Sequence, residues 1–390
     1  MADPVETLEL EFDEYGGGLL GAATAVATLG VTAVAVAAGY YYLVTPPQTP
    51  LFGYSPTPLD WLWLATGWPF LVAVVAPVVR DPQNSWELVS RLRRYPTGLA
   101  GGVITLGVLF AGTLGPVLLP EPAVSIVGRN QPPVFTSVSN ADLAGCVGTV
   151  VDGQCRGTFR YPLGTTGRGV GTGRSLVAGA RAFVKVAVTG VALAAPLGTV
   201  AGVTAAYVGG TVDRVVSGLA EAVKAVPALL VFLAWRWLAG NGTPFILVVC
   251  FGLFSWGTVA GVVRERALSE VSKDYVRSAE LAGASSVSVI RRHLLPNVAR
   301  AAVSASLARV PIFITVEATL AFLQFGAPAS PVLSMPPSYQ SWGETIGAEL
   351  TAFPLYWWRI VLPALTLLVA TAAVTVFADA LQRILDPRGE

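Results

Sequence analysis

The chain has 390 residues, of which 53% are hydrophobic and 13% charged, with a net charge of +1 and a mean hydropathy of +0.62. A soluble globular domain carries about 25% charged residues, and the shortfall here lies in long windows nearly free of charge, which excludes one large soluble core. The balanced charge also gives no basic signature for binding nucleic acid.

A helix needs ~20 apolar residues to cross a hydrocarbon core of ~30 Å. Eight windows meet that need, at 19–44, 59–79, 97–119, 183–208, 215–238, 244–263, 301–325 and 357–380. The fold class expected is therefore an all-α, polytopic membrane helical bundle. The acidic opening "MADPVETLELEFDEY" has no Lys or Arg and reads as a solvated tail rather than a cleaved signal. Tyr40, Tyr41 and Tyr42 close the first window, and Trp61, Trp63 and Trp68 open the second, as an aromatic belt on one shared side.

Orientation follows from where Lys and Arg collect. Arg80, Arg91, Arg93 and Arg94 follow the second window. Arg214 and Lys224 follow the fourth, and Arg264, Arg266, Lys273, Arg277, Arg291, Arg292 and Arg300 follow the sixth. Arg383 and Arg388 follow the last. With alternating crossings these loops share one side, whereas 45–58, 239–243 and 327–356 hold no Lys or Arg. The long loop after the third window holds Arg129, Arg156, Arg160, Arg168 and Arg174, but long loops translocate largely regardless of charge. Both termini are then expected in the cytoplasm of a multi-pass cell-membrane protein.

Of the three cysteines, Cys250 lies in an apolar run and reads as packing. Cys146 and Cys155 lie in the long polar loop and either form a disulfide, if that loop is outside the cell, or stand as two thiols. Two "GTVAG" pentamers, at 198–202 and 257–261, put small residues four apart and support close helix packing in lipid. The run "GRGVGTG" (167–173) does not have dinucleotide-loop spacing and reads as a flexible loop.

The stretch 264–300 is long for a helix connection, which usually takes about 2–8 residues. "DYVRSAELAG" places Tyr275, Val276, Ala279 and Ala282 on one side of a helix, Gly283 interrupts it, and Ser285 or Ser286 caps a second short helix that Pro296 is expected to end. A helix–Gly–helix elbow results. It is too polar for lipid and suits the docking of a soluble partner.

These residues resemble the EAA loop, E-A-A-x3-G-x9-I-x-L-P, of bacterial and archaeal ABC importer permeases. The matching positions are Arg277, Ser278, Ala279, Gly283 with Ala284 beside it, His293, Leu295 and Pro296. Arg277 and Ser278 stand where the family has Glu and its first Ala. The form "DYVRSAELAGAS…RRHLLPN" is similar to the dipeptide/oligopeptide/nickel branch, as are "AYVGGTVD", "VPALLVFLA", "EATLAFLQFG", "SWGETI" and "FADALQRILDPR". "YPLGTTGRGVGTGRSLVAGAR" keeps the two ends of a further branch motif and lacks the acidic and Arg positions between them.

The resemblance covers about 85–390 and implies the C-type permease. Its expected parts are an acidic tail at 1–18, two additional spans at 19–84, and a six-span permease core at 85–390. That core would carry an external segment at 120–180 and a cytoplasmic coupling loop at 264–300. The implied partners are a second homologous permease, two ATP-binding-cassette ATPase subunits, an extracellular substrate-binding protein and the bilayer. ATP and Mg would be bound by the partner ATPases and no cofactor by this chain, which would itself not be an enzyme. The only lysines, Lys185, Lys224 and Lys273, are not preceded by Gly, so the chain has no phosphate-binding P-loop of its own.

Glu317 stands in the apolar run "VPIFITVEATLAFL", and an acid at membrane depth is functional by default. It is expected to line the translocation pathway or the permease–permease interface, the plainer alternative being a carboxylate satisfied inside the bundle. Arg236 and Arg309 lie near window ends and read as snorkelling, and Glu221 and Lys224 as a local ion pair. His293, the only histidine, has no second ligand for a metal and reads as a docking-surface residue. A secondary transporter or channel driven by an ion gradient is the competing class. It would leave the cationic elbow without a purpose, and Glu317 alone is a thin ion relay.

Overall fold

The computed structural model describes residues 16–44, 56–80, 82–119, 125–239, 244–323 and 340–385. Most of the acidic tail, residues 324–326 of "EATLAFLQFG", and Arg388 lie outside them. The chain opens with α1 (Gly16–Val44), α2 (Pro58–Arg80) and the short α3 (Pro82–Leu92). Next come α4 (Pro96–Thr113) and α5 (Gly115–Leu118). A small antiparallel sheet follows, of β1 (Ser137–Ser139), β2 (Val150–Val151) and β3 (Gln154–Arg156) in the order β1-β3-β2. The bundle continues with α6 (Thr172–Val208), α7 (Gly210–Ala225), α8 (Ala228–Ala239) and α9 (Pro244–Val271). The elbow brings α10 (Asp274–Leu281), α11 (Ser286–Val289) and α12 (Leu295–Leu307), and the chain closes with α13 (Val310–Phe322), α14 (Trp342–Glu349) and α15 (Trp358–Leu385).

Among the described residues, six helical segments are long and apolar enough to span: Val26–Leu43, Pro96–Thr113, Thr172–Val208, Pro244–Val271, Ser286–Phe322 and Trp358–Ile384. The expected fifth span is not one straight helix. α7 and α8 meet at 68°, and this bent pair brings the count to seven if taken as one span. The physical reason is Pro227, which pushes the residue before it to extended backbone: Val226 has φ −87° and ψ 114°. The expected second span, α2, is a 23-residue helix outside those six.

The bundle turns about α6, which packs against α2, α4, α7, α9 and α13. Its first "GTVAG" pentamer sits where α6 crosses α9: a Cβ at Gly198 would lie 2.7 Å from the Trp256 carbonyl oxygen, and one at Gly202 2.6 Å from that of Ala260. Gly257, in the second pentamer, faces the Ala220 carbonyl of α7 at 2.6 Å on the same terms. Lipid gives apolar helix faces little reason to associate, so close backbone approach through small residues supplies the packing. Phe183, Val184 and Val191 of α6 share a core with Phe232, Leu247, Phe313, Trp342 and Val374.

The segment 125–171 forms a folded cap rather than a loop. Cys146 and Cys155 are joined in a disulfide with Cα atoms 5.7 Å apart. The "GRGVGTG" run, expected to be flexible, is an ordered turn. Gly169 takes φ +77°, the Thr166 N–H donates to the Val170 carbonyl at 2.8 Å, and the Thr172 N–H donates to that of Gly164 at 2.9 Å as α6 begins. α6 therefore starts at Thr172, well before the expected 183. The cap is fastened to the end of the bundle by hydrogen bonds from Trp358 Nε1 to the Thr165 carbonyl (3.0 Å) and from the Tyr356 hydroxyl to that of Asp142 (2.8 Å). Arg359 is paired there with Glu349 and donates to Asn130 Oδ1 at 2.8 Å.

Of the aromatic residues expected to form a belt, Tyr41 and Trp61 meet with ring centroids 5.8 Å apart and planes tilted by 47°. Trp68 lies deeper, donating from Nε1 to the Val26 carbonyl at 3.0 Å, and packs the α1–α2 hairpin together.

Candidate functional site

The elbow is built by local chemistry. α10 ends in a Schellman motif. The Ala284 N–H donates to the Ala279 carbonyl (3.0 Å), the Gly283 N–H donates to that of Glu280 (2.9 Å), and Gly283 takes φ +84°, which suits glycine. The Ser285 hydroxyl then caps α11 by accepting from the Ser288 N–H at 3.3 Å. Pro296 does not end the element. Residues Ile290–Leu294 form a π-helical turn in which the Leu295 N–H donates back to the Ile290 carbonyl, and Pro296 falls in the first turn of α12, where its missing N–H costs nothing.

Beneath the elbow lies a second core. Val276, Val289, Leu294 and Val298 pack on Val203 of α6 and on Val259, Val263 and Ala267 of α9, with Leu295, Ala279 and Ala284 half-buried beside them. Glu270, at the end of α9, is 1% exposed. It takes Lys273 Nζ at 2.7 Å, Arg266 Nη2 at 3.2 Å and the Tyr275 hydroxyl at 3.1 Å. Burial first, and the Glu270 carboxylate second, push the Tyr275 phenol up to about 12. Asn297 Nδ2 donates to the His293 carbonyl at 2.6 Å and to the Tyr275 hydroxyl at 3.3 Å. The Tyr207 hydroxyl at the foot of α6 donates to Glu280 at 2.9 Å.

The outer face carries Arg277, Ser278, Ala282, Gly283, Arg291 and Arg292, all exposed, together with Leu281 at 83% and Val287 at 72% exposure. Two placements differ from expectation. Ala282, expected on the apolar side, is exposed because α10 ends before it. His293, expected on the docking face, is half-buried with its ring 5.9 Å from that of Tyr275. A short helix fixed from below and free above can take and pass on force. Glu317 is remote from the elbow: it is buried at 5% exposure on α13, a helix packed against α6, α14 and α15.

Besides Glu349–Arg359 at the cap attachment, two further charge pairs between elements were missed in the sequence. Asp213 of α7 holds Arg264 of α9 through two bonds of 2.5 Å, bracing the helix that leads into the elbow. At the opposite end of the bundle Asp60 of α2 is paired with Lys185 of α6, both buried, with Arg181 Nη2 at 3.8 Å. Lys185 was legible as a cation inside an apolar run; its partner, far off in sequence, was not.

A family model described as the binding-protein-dependent transport system inner membrane component matches residues 196–389, which include the elbow and Glu317. A peptide transport system permease protein of Brucella suis biovar 1 is 30% identical over 211 residues, covering 54% of this chain and 68% of the relative. The chain belongs to this family. The permease is also 28% identical over 319 residues to the dipeptide transport system permease protein DppC of Bacillus subtilis, covering 81% of this chain and 88% of that one. It is 28% identical over 229 residues to the protein of the same description in Lactococcus lactis subsp. cremoris, covering 59% of this chain and 64% of that relative's length. The permease is thus a multi-pass membrane protein of the C-type, dipeptide/oligopeptide branch.

Proposed function

We propose that this chain forms half of the translocation pathway of an ATP-driven peptide importer. A second homologous permease supplies the other half, two separate ATPase subunits bind ATP and Mg, and an extracellular binding protein delivers peptide. The observation that carries this is the elbow, whose underside is tied to α6, α9 and α12 while Leu281 and Val287 stand bare in water. An apolar pair rimmed by arginines on a braced mount suits a groove on a soluble motor. ATPase closure would move the elbow, and the shared apolar core would pass that movement to α6 and α9 together. In this reading the elbow and both termini are cytoplasmic and the disulfide-bearing cap is outside, where disulfides persist. Glu317 faces the pathway or the second permease, and the chain itself catalyses no reaction.

The test is affinity purification of the detergent-solubilised complex. Leu281→Asp with Val287→Asp, both on the exposed face, should strip the ATPase subunits while the second permease stays bound. Deletion of 278–290 should do the same. ATPase subunits retained in full by both variants would overturn the reading.

A further inference from the structure

At the far end of the molecule from the elbow, the cap holds two large aromatic rings in the open. Phe135 is 91% exposed and Phe159 79%, and their rings meet edge to face, 6.1 Å apart at 89°. Single exposed apolar residues need no explanation, but this pair is constructed. Phe135 sits at φ +67°, a left-handed backbone that is costly for a non-glycine residue and persists only where its surroundings impose it.

Those surroundings are visible. The Val134 N–H donates to the Pro162 carbonyl at 3.1 Å, the Thr136 N–H to that of Pro133 at 3.1 Å, and the Gly157 N–H to that of Thr136 at 2.9 Å. The register Ser137↔Arg156 puts both rings at one end of the β1–β3 pair. Asp142, past the other end of that pair, is tied to Tyr356 of the bundle. Strain accepted without any burial of the ring in return marks a surface shaped for something outside the chain.

The charge around the pair indicates what that is. Residues 125–174 hold five arginines against two aspartates. Arg156 and Arg160, both exposed, flank Phe159 in sequence, whereas Asp142 lies past the opposite end of the strand pair. We infer that Phe135 and Phe159 are the aromatic anchor by which the cap receives the soluble binding protein, in an apolar pocket with an acidic rim. This rests on the importer reading above. A lipid surface offers apolar and anionic chemistry too, but it rewards flexible insertion. A fixed edge-to-face pair on a disulfide-braced sheet is preorganised, which lowers the ordering cost of a protein–protein contact. Arginines at the rim steer encounter and add salt dependence.

The experiment uses the full complex in nanodiscs, titrated with its own purified binding protein, with ATPase rate as a second readout. Phe135→Ser with Phe159→Ser should weaken the binding protein by at least about tenfold and leave the basal ATPase rate unchanged. Arg156→Ser with Arg160→Ser should slow association and flatten its dependence on salt. Phe159→Ser alone, which leaves the strained residue in place, should show a smaller loss in the same direction and separates contact from misfolding. Unchanged affinity in both phenylalanine variants overturns the inference, as does quenching of a Phe135→Trp probe by brominated lipid in the nanodisc. A wild-type complex that carries no ATPase subunits, or ignores every binding protein, overturns the importer reading instead.

Discussion

Two attachments to the same helix, α6, obey different physics. At the elbow end, α10, α11 and α12 lay valines and leucines on Val203 and Ala206. That stretch is polar on its other face, so water drives the contact and roughly 25 cal/mol per Å² of buried apolar area is available. At the cap end the α1–α2 hairpin meets α6 through α2; in a bilayer, as apolar as the hairpin itself, lipid could replace any of its apolar contacts. What lipid cannot replace is the carboxylate of Asp60. One oxygen, Oδ2, accepts from the Thr57 N–H (2.7 Å) and hydroxyl (2.6 Å) and starts α2; the other, Oδ1, neutralises Lys185. The hairpin therefore supplies a counter-ion to α6, and the elbow is seated on α6 by apolar contacts.

The largest expected effect tests that contrast directly. Asp60→Ala leaves Lys185 buried without its carboxylate, which should cost about 3–5 kcal/mol in thermal or denaturant unfolding of the purified permease. Removing residues 1–84 should do comparable harm, and Lys185→Met should rescue the truncated chain. A truncated chain that assembles equally well with and without the Lys185→Met change would show that the hairpin holds on by something other than charge.

The elbow should respond more mildly. Glu270→Ala orphans Arg266 and Lys273, which are about half exposed (48% and 52%), and takes the acceptor from the Tyr275 hydroxyl, so a loss of about 2 kcal/mol is expected. It should be seen as faster hydrogen exchange in 270–297 with the rest of the bundle unchanged. Gly283→Ala forces a Cβ into the left-handed conformation for about 1–2 kcal/mol and should lower ATPase affinity without unfolding the bundle.

The smallest effect is one of pH. The Tyr275 phenol is raised to about 12 in the folded elbow, against about 10 in an unfolded chain. A raised phenol favours the folded state at every pH below about 10, and that contribution is lost as pH climbs from there towards the folded value. Elbow protection in hydrogen exchange should thus fade across that alkaline window in wild type, and Tyr275→Phe should abolish the dependence.

The sequence disclosed what is local or periodic. Charge-free windows located the helices. Gly283 and Ser285 located the elbow, because a left-handed stop and a hydroxyl cap act within a few residues. Pro227 was equally visible in "VPALLVFLA", but the apolar run around it hid the break into α7 and α8. Pro296 misled in the other direction, because a π turn set its missing N–H in a first helical turn. The cap's sheet rests on strands of two or three residues, too short for an alternating pattern to register. The pairs Asp60–Lys185, Asp213–Arg264 and Glu349–Arg359 had no local signature, since each joins different elements and only the folded bundle brings its members together.

The 37 residues of α6 form one helix, roughly 55 Å long at ~1.5 Å per residue. Its first N–H is fixed in the cap, and Tyr207, next to last, holds the elbow. Such a rod leaves little room for the two ends to act independently: a tilt begun at one end arrives at the other, less only what is taken up at Pro196, the single proline along its length. Loading on one face of the membrane and the power stroke on the other would then be readings of a single mechanical coordinate, and stiffening or loosening position 196 would change the gearing between them.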